Sequence, residues 1–469
     1  MTDNYNLNQD QEFLKWISTF SNKDIRIGLN IKNIDEFNQF LNHKYKYLIN
    51  SINFTKKLRQ SFDLVGFDKI VYLSLKCSKE FNFQGTLPES IRELELQSSK
   101  GCQDRDIDGI LSQLGNSKIR KLSLPLYRKT LFLKEYQLPM TLCDFNYLSH
   151  ANSFQFIFPN NQQVFKNCKI IITSKEDLKW AQENKCISNI GIGDLDCPIT
   201  LDLIPSQINQ LEIKHNMKID SLPDHLEKLT LSSHLGNGVK LGSKLEYFSG
   251  FGFFREKLTR ESLPFSLKTL LLHFYDQPLD HGLFHNNLSS LTLSSFNQPL
   301  ERGVLPETLT QLYLPNFNLP LESLVLPSKL KELDCSNFNN TLESNSLPKS
   351  LTKLCFPNFT KSFPFKCPLD NLKRLSIHTC NNSVINIIGN LLKIKLIIKN
   401  IDSDLNLRDT CIQQLIIKCT LNNQSIRIES LPKHLQTLYS STLEIKSLSN
   451  EYSFKFKTNK ETLKKRYFK

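Results

Sequence analysis

The sequence predicts a β-rich solenoid: a right-handed stack of about eighteen short parallel strands with a period of about 21 residues, begun by a small helical N-terminal cap. Three observations predict it. A Leu-x-x-Leu-x-Leu frame recurs at a fixed spacing. Aromatic and amide columns keep phase with that frame. The first 60 residues carry a different, helical periodicity.

In chain order, the cap comes first. Residues 1–60 lack the repeat, and Phe37, Leu41, Tyr45, Leu48 and Ile52 recur every three or four residues, an apolar stripe that predicts a helix. Phe13, Trp16, Ile17 and Phe20 predict a shorter helix before it. A solenoid exposes an unsatisfied face at its first turn, so a cap is the expected role.

The solenoid is expected over 70–445. It is most regular over 263–377, where blocks start at Leu267, Leu288, Leu309, Leu330, Leu351 and Leu372, each 21 residues after the last. Tyr275, Phe296, Phe317, Phe338 and Phe359 share one phase, followed by Asp276, Asn297, Asn318 and Asn339. Leu-Pro pairs precede the blocks at Leu263-Pro264, Leu305-Pro306, Leu326-Pro327 and Leu347-Pro348. Looser starts fall at Ile70, Ile91, Ile119, Leu142, Phe165, Ile187, Ile208, Leu226 and Leu245, and beyond the regular run at Leu391, Ile412 and Leu435. The apolar pair ending each block, such as Leu291 and Leu293, predicts a short strand with one buried face, which only stacking on its neighbours can bury. The phenylalanines then form a second wall of the core. The asparagines suit a ladder of amides between turns, and the prolines sit outside the strand ladder.

The repeat Leu-Pro-x-x-Leu-x-x-Leu-x-Leu-x-x-Phe-Asn-Gln-Pro-Leu, seen best across Leu288 to Leu314 and containing Phe296-Asn297-Gln298-Pro299, resembles the FNIP repeat. The resemblance is strong over 263–365 and weaker over 204–262. FNIP repeats are similar to leucine-rich repeats, which implies a curved solenoid with its strands on the concave side and no established catalytic activity.

The basic C-terminal tail, 454–469, is the last element. Lys455, Lys457, Lys460, Lys464, Lys465, Arg466 and Lys469 stand against Glu461 alone, so this tail holds a net +6 of the chain's +13. Phe454, Phe456, Tyr467 and Phe468 lie among these cations, a mixture suited to nucleic acid or an anionic lipid surface through Lys455–Lys469, or to a nuclear signal. A solvated terminus is the plainer expectation.

Hydrophobic residues make up 39% of the chain and charged residues 22%, which excludes a disordered chain. The polar N-terminus and the lack of any apolar run near the ~20 residues of a membrane span predict a cytoplasmic protein, with a nuclear location as the variant the tail would allow. The twelve cysteines form no Cys-x-x-Cys pair.

No catalytic constellation emerges, and no enzyme activity, cofactor, metal or small-molecule substrate is expected. Asp104-Arg105-Asp106-Ile107-Asp108-Gly109 matches the first half of a calcium loop, but its twelfth position is Gly115 where a bidentate Glu is needed. His281 and His285 fall in an inter-strand turn, and Gly191-Ile192-Gly193 lacks the third glycine of a dinucleotide loop.

The expected function is a protein-protein interaction scaffold with an unidentified protein partner. Its candidate surface consists of strand positions opposite the buried leucines: Thr269, Leu271, His273, Thr292, Gln311, Tyr313, Glu332, Asp334 and Lys353. Two alternatives use the ends. One is a substrate-recognition subunit of a ubiquitin-ligase-type complex recruited through the N-terminal helices; the other is an RNA or anionic-membrane binder acting through the tail.

Overall fold

Two leucines on one face of a three- or four-residue strand cannot hold that strand alone, and the chain answers by stacking it on its neighbours. The computed structural model describes residues 28–446, with breaks at 33, 42–45, 59–61, 78–80, 82, 99–106, 125–134, 152–155, 158–163, 194, 196, 215–216, 233–239, 252–256, 365–367, 422–423 and 441–442, together with 453–455. It divides into two units, Met1–Met217 and Lys218–Lys469.

In the first unit, strands Gly28–Ile31, Ser51–Phe54, Tyr72–Cys77, Glu93–Ser98, Lys121–Ser123, Asp144–His150, Phe165–Ile172, Ile187–Ile192 and Gln210–Ile213 pair in sequence order, all parallel. The Phe165 block, the least regular in sequence, meets the next strand through a shift of register between Ile187 and Asn189.

The ladder begins earlier than the sequence suggested. Ile34–Leu41 is helical, with Phe37 buried against Phe54, Phe62 and Phe67, but Ile52 lies in the strand Ser51–Phe54. Within that strand Ile52 and Phe54 are buried on one side, a period-two pattern that the wider spacing of the stripe does not announce. Here the carbonyl of Asn50 accepts from the amides of Val71 and Tyr72, and ladder pairing outweighs the marginal stability of a short helix. The helix expected at Phe13–Phe20 and the tail beyond Lys455 lie outside the described residues.

In the second unit, Lys228–Leu231, Tyr247–Gly250, Thr269–Leu272, Ser290–Leu293, Gln311–Tyr313, Glu332–Asp334, Lys353–Phe356, Arg374–Cys380, Lys393–Ile401, Gln414–Cys419 and Thr437–Ser440 pair in order, again all parallel. From Thr269 to Arg374 every partner lies 21 residues on. Each expected block start leads into a strand of one ladder or the other.

The columns do what their chemistry requires. Phe296, Phe317 and Phe338 stack with ring centroids 6.4 and 6.3 Å apart and planes 11° and 2° from parallel, and Phe359 continues the stack at 5.9 Å. The amide column is a side-chain-to-backbone ladder. The Asp276 carboxylate accepts from the Asn297 amide at 2.8 Å, the Asn297 side-chain oxygen from the Asn318 amide at 2.9 Å, the Asn318 side-chain oxygen from the Asn339 amide at 2.8 Å, and the Asn339 side-chain oxygen from the Thr360 amide at 3.0 Å. A second ladder runs from Asn316 through Asn337 to Asn358. The prolines cap the turn entering each strand: carbonyls of Pro264, Pro306, Pro327 and Pro348 accept from the amides of Leu267, Leu309, Leu330 and Leu351. His285, in the same column, does so for Leu288.

Candidate interaction surface

Strand alternation fixes which side chains leave the core. Leu270, Leu272, Leu291, Leu293, Leu312, Leu333 and Leu354 are buried, so the residues between them face outward. The register aligns these outward residues in rows. Thr269, Ser290, Gln311, Glu332 and Lys353 form one; Leu271, Thr292, Tyr313, Asp334 and Cys355 form the next. All nine candidates are half-buried on this face, and His273 follows at the end of its strand.

They do not act as one cluster. Tyr313, Glu332 and Lys353 form a network: the Tyr313 hydroxyl donates to the Glu332 carboxylate at 2.9 Å, the Lys353 ammonium to the same oxygen at 3.2 Å, and that ammonium lies 5.6 Å from the Tyr313 ring centre. Burial and the Glu332 carboxylate push the Tyr313 phenol up to about 12. Burial raises the Glu332 carboxyl, but hydrogen bonds from Tyr313 and Lys353 outweigh it and leave its pKa below the ordinary value. Asp334 accepts from Ser336 at 2.7 Å. His273 stands apart, stacked on exposed Phe251 with centroids 3.9 Å apart, and burial lowers its pKa.

The motifs weighed for ligand chemistry have structural roles where they are described. Asp108 accepts from the Tyr136 hydroxyl at 2.6 Å. A Cβ on Gly109 would stand 1.9 Å from the Phe83 carbonyl oxygen, so close backbone packing accounts for that glycine. Asp104 and Asp106 lie outside the described residues. His281 pairs with Glu301 at 3.3 Å, while His285 reaches the Leu263 carbonyl at 3.1 Å. Gly191 lies in the strand Ile187–Ile192, where a Cβ would meet Ile171 at 2.9 Å and Lys169 at 3.1 Å; Lys169 is ion-paired with Glu212. Among the described residues, no group of three or more His, Cys, Asp or Glu is placed to hold a metal ion. No helix among them is long and apolar enough to cross a membrane.

Sequence reasoning missed the continuation of this face past Lys353. The rows run on through Arg374 and Lys395, and through Ser376, Ile397 and Lys418. The signal was available in the alternation of Lys393–Ile401, KIKLIIKNI, although the aromatic and amide columns no longer marked the phase there.

Stacked parallel strands with a 21-residue period define a leucine-rich-repeat-like β-solenoid. Within it, residues 275–317, 296–337 and 317–359 match the FNIP Repeat family. A search of curated proteins returns no match. Solved structures that align with the chain include CroV588, described as a novel circular LRR protein, at 20% identity and TM-score 0.45 over 86% of this chain. The chain spans 59% of the CroV588 chain. The TLR13–ssRNA13 complex aligns at 13% identity and TM-score 0.47, over 85% of this chain and 78% of that one. The mouse RP105/MD-1 complex aligns at 13% and 0.46, over 84% and 82%. These likenesses concern architecture alone.

Proposed function

We propose that the chain is a non-enzymatic scaffold that binds another protein through the outward strand face from Thr269 to Lys353. The observation that carries this reading is the Tyr313–Glu332–Lys353 network. It holds a partly exposed aromatic ring in a fixed orientation at the middle of the surface, so little side-chain freedom is lost when a partner covers it. The surrounding rows mix Thr, Gln, Leu and both charge signs, a composition suited to a protein rather than to a polyanion or a membrane.

The test is affinity capture from native cell extract with tagged full-length chain, comparing wild type with a Leu271→Asp/Tyr313→Asp variant. Partners retained by wild type and lost by the variant, at unchanged circular dichroism, support the surface. A partner set unaffected by the substitutions removes it. The cytoplasmic setting belongs to the same proposal and is tested by fractionation. The two narrower readings, ligase recruitment through 1–60 and anionic binding through 454–469, draw mainly on residues outside the described ones, and nothing in the fold favours either.

A further inference from the structure

Beyond Lys353 the outward face changes character. The strands Arg374–Cys380, Lys393–Ile401, Gln414–Cys419 and Thr437–Ser440 contain no Asp or Glu. Their inward residues, including Leu375, Ile377, Leu396, Ile398, Leu415 and Ile417, are buried, which fixes the others outward. The register then sets Arg374 beside Lys395 and Lys395 beside Ile416, with Ile397 beside Lys418 in the adjacent row. Arg374 and Lys418 are exposed, and Lys395, Ile397 and Ile416 half-buried.

Elsewhere the molecule pairs cations with carboxylates across neighbouring turns, as in Lys268–Glu246, Lys257–Asp280, Lys353–Glu332 and Lys433–Asp409. Among the described residues, no carboxylate lies within ion-pairing distance of Arg374, Lys395 or Lys418. Three uncompensated cations thus surround two branched apolar side chains.

We propose that Arg374, Lys395 and Lys418, with Ile397 and Ile416 between them, dock a short extended acidic segment of a partner protein in which carboxylates alternate with apolar residues. This rests on reading the outward strand face as an interaction surface, and adds a partner chemistry and new contact positions to it. The dimensions agree. Strands about 4.8 Å apart put Arg374 and Lys418 on the order of 10–12 Å from each other, the span of three to four extended residues at about 3.4 Å each. The apolar residues of such a segment meet the isoleucines while its carboxylates meet the cations.

Charge complementarity alone would also admit a nucleic acid, but two features favour the peptide. Bases need aromatic platforms, and over the strands from Arg374 to Ser440 these two rows offer one tyrosine, Tyr439, at the far end. A polyanion continuing along the rows in the other direction would meet Glu332 and Asp334, both on the strand three places from Lys395.

The test is fluorescence anisotropy on the full chain with a labelled Glu-Leu-Glu-Leu-Glu-Leu peptide and, as comparison, a labelled hexauridylate. The expected result is peptide binding that weakens with added salt. Its Kd should rise about tenfold or more in Lys395→Glu/Lys418→Glu. Lys329→Glu, an exposed position off the strand face, should leave it unchanged. Lys395→Gln/Lys418→Gln, which neutralises without reversing charge, should give a smaller loss in the same direction and serves if the reversal impairs folding. Absence of peptide binding overturns the proposal. Equal loss in Lys329→Glu reduces it to non-specific attraction, and tighter hexauridylate binding lost in the same variants reassigns the strip to nucleic acid. Failure here, together with partner loss in Leu271→Asp/Tyr313→Asp, removes the acidic-segment site and leaves the broader surface standing. The reverse pattern removes the central surface alone.

Discussion

At the scale of single residues, the turns contain a column that the hydrophobic frame does not announce. Gly282, Gly303, Leu324 and Asn345, each 21 residues from the next, all have positive φ, at 75°, 86°, 61° and 62°. Glycine occupies this region freely and asparagine tolerates it, whereas a leucine there is strained by about 1–2 kcal/mol. Leu324 is 56% exposed, so truncating it forfeits little packing. Leu324→Gly should therefore stabilise the chain by roughly 0.5–1 kcal/mol, the relief of strain being partly offset by the greater entropy of glycine in the unfolded chain. Gly303→Leu should destabilise it. Thermal melting of both variants checks the pair, and a lower melting temperature for Leu324→Gly refutes the strain argument. This column was hard to read because three residue types fill it and only their backbone conformation unites them. The Asn297–Asn318–Asn339 ladder was legible because one chemical role is served by one residue type.

At the scale of elements, the phenylalanine stack is where the core is most ordered. Phe317 lies between Phe296 and Phe338, and all three are essentially inaccessible to solvent. Phe317→Ala leaves a void that the flanking rings, held by their own turns, cannot close, and should cost about 3–5 kcal/mol. The midpoint of urea unfolding, followed by circular dichroism, measures it; a cost below about 1 kcal/mol would show that neighbouring turns relax into the space. Elements also show where sequence patterns mislead. The helical spacing of Leu48 and Ile52 is broken between them: Lys46–Leu48 is a single 3-10 turn, and Ile52 joins the strand Ser51–Phe54, whose backbone groups find partners in the ladder on both sides. Similarly, the outward face was legible only where the aromatic column marked its phase. In Lys393–Ile401, where a strand of nine residues replaces one of three or four, alternation alone had to reveal the cations.

At the scale of the whole molecule, each unit owes its length to a ladder whose rungs touch only their neighbours, and its stability is therefore a sum over turns and interfaces between turns. In the second unit, deleting Leu309–Lys329 joins Thr308 to Leu330. It places Ser290 opposite Glu332, Phe296 against Phe338 and the Asn297 side chain on the Asn339 amide, each replacing a neighbour of the same kind. The shortened chain should fold, keep its strand signal in circular dichroism and unfold cooperatively, while deletion of Leu309–Asn318 breaks strand and columns together and should not. Loss of the fold in the 21-residue deletion would mean that the central turns are not equivalent. The equal register of these turns also bears on descent. A gene coding for such turns can gain or lose one by in-frame unequal exchange, each event changing the reach of the ladder by about 4.8 Å and shifting the spacing between surface patches without creating a new junction. Length is then a heritable variable that selection can adjust independently of the core.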